Sequence, residues 1–334
     1  RAAGAIVGAL IGDALGLGCH WYYDFDEMRR DCGPWVSDYI DVSPDRTDRF
    51  RYISKMRHEI GLRGGDVSQT GEVAILLLES VVDRGGYNES DFSKRLDGLL
   101  ETLDGSPLSG RFTDWAMRDV ANQRRSGIEW SVAGSRADTA EAAIRSVVLS
   151  ALMSGDLERL AREAYSNILL THREPYVAGQ SVAFSLTVGI LVAGTSVSEI
   201  GTAISDLSGN EFVRSLVPSH DTLGQARNGA RAAAQAPNLQ PSEVCALNGM
   251  NCTLGFMLPS AYYFLHRYPD NFEMAVLSAI NGGGNTIARA ALTGALSGAA
   301  VGLSGIPKRF TNGLAGHRRL LDLARSVSSI SEPA

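Results

Sequence analysis

GAIVGALIGDALG, residues Gly4–Gly16, sets a glycine at every fourth position of an otherwise apolar run. Residues four apart share one face of a helix. Each glycine costs about 1 kcal/mol of helix stability relative to alanine, so a row of them needs a compensating gain. Close approach of another helix backbone supplies it. A second stripe, Gly294, Gly298 and Gly302 preceded by Ala290, lies near the other end of the chain. The two spacings predict that these terminal helices pack against each other at the centre of the molecule. A membrane dimer would use the same spacing. Asp13 and Arg289 interrupt the two stretches, however, and charge inside a bilayer is costly. A third apolar stretch, Ser181–Ser196, falls short of the roughly 20 residues a span needs. No membrane insertion is expected.

The remainder reads as helix. Gly71–Val82, Ala137–Ser154, Leu157–Leu170, Glu174–Val192, Val197–Leu207 and Asn271–Ile280 are apolar or alanine- and leucine-rich, and few segments alternate at period two. The expected architecture is all-α, in a single domain over 1–334, with its largest loops at Asp24–Gly65 and Pro218–Pro241. The chain has 334 residues, 44% hydrophobic, with a formal charge of −6 and no long basic block. That is ample for a large core and argues against nucleic acid as a partner. Cys19, Cys32, Cys245 and Cys252 lack the tight spacing of a zinc site. Buried free thiols in an intracellular, reducing compartment are the expectation. The first residue is Arg1 rather than Met, so a processed or truncated N-terminus is expected.

Polar residues gather in four places. Asp13 sits inside the first apolar stretch, where it needs partners. It either faces a polar pocket or caps a neighbouring helix. His20 to Asp24 adds aromatic rings that can stack on a ligand ring. In Gly64–Glu72, the residues Asp66, Ser68, Gln69, Thr70 and Glu72 crowd a glycine-rich turn before an apolar helix, more polar groups than a cap requires. In Asn281–Arg289, the glycines Gly282, Gly283 and Gly284 are followed by Asn285, Thr286 and Arg289, a flexible turn with neutral donors and a cation one helical turn on. His172 in Leu170–Pro175 (LTHREP) lies between two helical runs and reads as structural or catalytic.

These segments, in this order, resemble the ADP-ribosylglycohydrolase family, which includes the jellyfish J-type crystallins. GALIGDALGLGCHW (8–21) is similar to the family's N-terminal Gly-Asp helix, and LTHREP to its Thr-His segment. LGFMLPSAYYFL (254–265) is similar to the helix before its last motif. GDVSQTGEVAILLLES (65–80) stands where the family has Thr-Asp-Asp-Thr, and NGGGNTIARAALTGALSGAAVG (281–302) where it has Gly-Gly-Asp-Thr-Asp-Thr. The resemblance implies an all-α, orthogonally packed helical bundle with a central cleft and two Mg²⁺ ions held by the acids of those two motifs. Position by position, the acids of the first motif fall within Ser68-Gln69-Thr70-Gly71, and those of the last on Gly283 and Asn285, with its final threonine at Thr286.

None of those positions carries a carboxylate, and Mg²⁺ prefers anionic oxygen. The sequence therefore predicts no dinuclear Mg²⁺ site and no cofactor. It favours a non-catalytic, crystallin-like pseudoenzyme that binds an ADP-ribose-like small molecule or serves in a protein assembly. The alternative is a metal-independent hydrolase of a glycosidic or C–N bond. In it Glu72 and Asp66 act as the carboxylates and Arg289 stabilises charge. Asp13, His20, Ser68, Gln69, Thr70, Gly282–Gly284, Asn285 and Thr286 would contact the substrate.

Overall fold

The computed structural model describes residues 1–217 and 220–330. Among the described residues there are helices and turns and no strand. The chain opens with α1 (Ala2–Leu17), α2 (Phe25–Cys32), α3 (Arg51–Glu59), α4 (Gln69–Arg84), α5 (Glu89–Glu101) and α6 (Trp115–Arg125). The middle holds α7 (Glu141–Arg145), α8 (Val147–Leu152), α9 (Leu157–Leu169), α10 (Pro175–Val192), α11 (Ile200–Leu207) and α12 (Glu211–Leu216). Then follow α13 (His220–Gln235), α14 (Pro241–Asn248), α15 (Leu254–Arg267), α16 (Phe272–Asn281), α17 (Thr286–Val301), α18 (Lys308–Gly313) and α19 (His317–Ile330).

The centre is α1 against α17, antiparallel and almost fully buried. A Cβ on Gly4 would lie 2.3 Å from Gly298 O, one on Gly8 2.2 Å from Gly294 O, and one on Gly12 2.0 Å from Ala290 O. The glycine rows thus let the two backbones touch. The second stripe is not on the last helix, as α18 and α19 follow it. The buried face of α19, with Leu320, Ala324 and Val327, closes over α1 and α4. Around this pair the other helices bury one continuous apolar core from Ala2 to Val327. Only Pro175–Val192 is long and apolar enough to cross a membrane among the described residues, and 83% of that window is buried inside the molecule.

Polar side chains start the helices. Asp24, Ser68, Asn88, Asp114, Asp156, Glu174, Asn271 and Asn285 each accept from a backbone N–H of the first turn. Three sequence expectations need correction. The Asp24–Gly65 loop contains α2 and α3, the first set by the Asp24 cap. The Pro218–Pro241 loop is mostly α13 (Pro218 itself lies outside the described residues). Gly229 lies within that helix, where a Cβ would meet Tyr262 Cβ at 2.4 Å. Ala137–Ser154 is not one helix: residues 137–140 lie outside helix, and a turn at Ser146 separates α7 from α8. Asp138 O accepts from Leu254 N at 2.8 Å, and the bridge between Ser135 and His172 fixes the segment from the other side. Tertiary pairing overrides alanine's helix propensity there.

Candidate functional site

A cavity of about 470 Å³ opens where the ends of α1, α4, α6, α7 and α17 converge. One wall is aromatic. Trp21 stacks on His20 at 4.4 Å between ring centroids and meets Phe112 edge-on at 5.0 Å, with exposed Trp115 at the rim. Trp21 and Phe112, with φ of 63° and 83°, are the two non-glycine residues of positive φ among the described residues. Both line this cavity. Such backbone strain costs about 1–3 kcal/mol per residue and gathers at functional sites. Trp21 is held there by a ladder to the glycine turn, its N–H donating to Gly284 O at 2.8 Å.

The lining also carries charge. Arg57 is buried, donates through Nε to Arg111 O at 3.2 Å and lies 5.7 Å from the Phe112 ring centroid. Burial lowers its pKa to about 10, so it stays a cation. Arg118 lies on the first turn of α6. Asp114, Asp138 and Glu141 bring three carboxyl groups to the same cavity. Burial raises Asp114 to about 8, helped by the charge of Glu141 and opposed by the α6 amides and Arg118. Burial opposes the ionisation of Glu141 too, but His172 and Thr139 outweigh it and hold Glu141 below the usual range. His172 Nε2 lies 3.3 Å from Glu141 Oε2, and Nδ1 lies 2.9 Å from Thr171 Oγ1. Thr171 Oγ1 in turn accepts from buried Arg145 at 2.7 Å. His172 thus faces Thr171 through Nδ1, and Glu141 together with Thr139 Oγ1, at 3.1 Å, through Nε2.

Of the sequence candidates, His20, Ser68, Gln69, Thr70 and Asn285 line the cavity. Burial, then Arg57, Arg46 and Arg289, push the His20 pKa well down, so the ring is neutral at pH 7. The others lie elsewhere. Asp13 takes the capping role: its carboxylate accepts from Ser68 N and Ser68 Oγ, both at 2.6 Å, at the head of α4. Burial raises it to about 6 despite those bonds. Asp66 accepts from Arg63 N at 2.8 Å, and Glu72 sits 3.8 Å from Arg111; neither lines the cavity. Arg289 is buried and clamps the glycine turn, donating to Gly283 O at 2.7 Å and Ala279 O at 3.2 Å. Thr286 Oγ1 donates to Gly16 O at 2.8 Å. Gly282, Gly283 and Gly284 are closed off by Cys245, Tyr22 and Met250, so the turn faces protein rather than the cavity.

The ADP-ribosylglycohydrolase family model matches residues 1–333. The chain belongs to the ADP-ribosylglycohydrolase family. It is 26% identical over 267 residues to an uncharacterized protein of Archaeoglobus fulgidus, covering 80% of this chain and 81% of that one. It superposes on a solved structure described as an ADP-ribosylglycohydrolase-related protein complex with a TM-score of 0.71 at 18% identity, covering 99% of this chain and 98% of the other. That likeness shows the fold.

Neutral residues stand where the sequence aligns with the family's acidic motifs. There Ser68 Oγ donates to Asp13, Gln69 Nε2 donates to Thr113, and Asn285 Oδ1 accepts from Ala288 N. No group of three or more His, Cys, Asp or Glu suited to a metal occurs among the described residues. Restoring acids is expected to fail. Gly283 has φ +66°, and a Cβ there would stand 2.9 Å from Tyr22 O. Gly283→Asp with Asn285→Asp should lose about 1–3 kcal/mol of stability from that strain. Calorimetric titration with Mg²⁺ should show no binding, and a saturable heat would refute this account.

Proposed function

We propose that this chain binds a small, polar, ring-bearing molecule of the ADP-ribose kind in this cavity, without Mg²⁺. The observation that carries the reading is the cavity's make-up. Strained Trp21 and Phe112 line it with aromatic rings, and Arg57 offers a buried cation, beside neutral Ser68, Gln69, Thr70 and Asn285. Pockets of about 300–1,000 Å³ with aromatic walls and a few placed polar groups suit such ligands. A purely structural or assembly role gives no reason to hold two residues in a strained backbone around an open space.

Thermal denaturation with ADP-ribose, in EDTA and in Mg²⁺, tests this. Ligand at 100 times its dissociation constant should stabilise by about 2.7 kcal/mol, equally in both. A shift confined to the Mg²⁺ sample would overturn the reading, as would no shift in either.

A further inference from the structure

The geometry points to Asp114 and Glu141 as a general acid and general base for metal-free hydrolysis of a glycosidic bond. It rests on the reading that this cavity takes the ligand. Two carboxyl groups in one cavity, one kept as the acid and the other as the base, are what such hydrolysis requires. Asp114 is fixed by its place as the cap of α6, accepting from Met117 N at 2.9 Å. Glu141 opens α7 and is oriented by His172 and Thr139. Other charged or titratable groups around the pair are Arg118, Arg57, Asp138, buried Arg145 and Cys252, and His20 is neutral. Burial and the neighbouring Glu141 charge keep the Asp114 proton on at neutral pH, while the His172 bond keeps Glu141 ionised.

In the step, Glu141 takes a proton from water as the water oxygen bonds to the anomeric carbon. The bond from that carbon to the leaving oxygen or nitrogen breaks, and Asp114 gives its proton to the leaving atom. One bond forms, one breaks, and exchange with solvent returns each carboxyl to its starting state. His172 is a positioning residue that acts through Glu141.

The probes are 4-nitrophenyl and phenyl ribofuranosides, both anomers, with the full chain in EDTA. Wild type should cleave them. Glu141→Gln should lose about 10²–10⁴-fold on both, the usual worth of a general base. Asp114→Asn should lose much more on the phenyl glycoside, whose poorer leaving group needs the proton, than on the nitrophenyl one. His172→Ala should move the acidic limb of the pH–rate profile upward, a change that loss of fold alone would not make. Binding of ADP-ribose in EDTA without cleavage of any probe would sink the hydrolysis and leave the binding reading intact. Equal loss on both leaving groups in Asp114→Asn would remove Asp114 as the acid. Cleavage only with Mg²⁺ would overturn both readings.

Discussion

Gly12→Ala is expected to abolish or nearly abolish folding. The added Cβ would sit 2.0 Å from Ala290 O and 2.4 Å from Ala290 C, both backbone atoms of α17. Overpacked cores usually lose about 1–3 kcal/mol because side chains shift aside. Here nothing flexible can shift, so two buried helices must separate. Gly8 and Gly16 also make close approaches on the same face, at 2.2 Å to Gly294 O and 2.7 Å to Ile287 Cα, so the separation opens the whole seam. A loss of 4 kcal/mol or more, roughly the exceptional end of single substitutions, is expected. Native domains have only about 5–15 kcal/mol in total. Urea denaturation reads this as a fall in midpoint. Gly98→Ala in α5 is the control, for that glycine is exposed with no atom within 4 Å of a Cβ. It should gain about 0.5–1 kcal/mol, alanine's advantage in a helix. An unchanged midpoint in Gly12→Ala would show that the seam parts freely and that close backbone contact does not hold α1 to α17.

That seam was legible because its signal is local and periodic. Four glycines at one spacing can only be a face, and a face of glycine needs a backbone opposite it. The polar motifs were legible as places but not as directions. Asn285 caps the helix that carries Arg289, yet Asn285 reaches the cavity while Arg289 turns back under its own glycine turn. Asp13 could cap or line a pocket, and only the position of Ser68 decides for capping. Asp66 and Glu72 flank a cavity motif by sequence, but the first bonds its own turn and the second faces Arg111. The cavity carboxyls left little trace. Asp114 reads as an ordinary turn residue, and Glu141 is hidden in an alanine-rich run that looks like continuous helix. Their pairing with each other and with His172 joins three distant segments, and no spacing rule reports such contacts. The Asp138-Thr139 pair ahead of Glu141 is the one usable hint, since polar residues before an apolar run mark a helix start.

Wild-type stability should fall as pH rises from 6.5 to 8.5 relative to Asp114→Asn. Asp114 has a folded pKa of about 8 against 3.8 for the free group. Between those values the native state holds a proton that the unfolded state has released. Unfolding then becomes more favourable with each pH unit. This sign is the reverse of the usual paired carboxylate. Asp13, raised to about 6, has the same sign but is spent before pH 6.5. His20 and His266 are lowered from 6.5, so their contribution rises with pH and is complete near that value. Glu141 is lowered from 4.5, so its contribution is present above that pH and lost only in stronger acid. The N-terminal amine, lowered from 8.0, overlaps the window with opposite sign, which is why the variant and not the absolute slope is the readout. Asparagine keeps the α6 cap, so the substitution removes the titration and little else. One pKa unit is worth 1.36 kcal/mol. Asp114 is only half-buried, so after a discount for solvent the two profiles should diverge by about 1–2 kcal/mol across this window. Urea midpoints at pH 6.5, 7.5 and 8.5 measure it. Parallel profiles would mean that Asp114 is ionised at neutral pH, and the Asp114–Glu141 pair would then hold two bases and no acid.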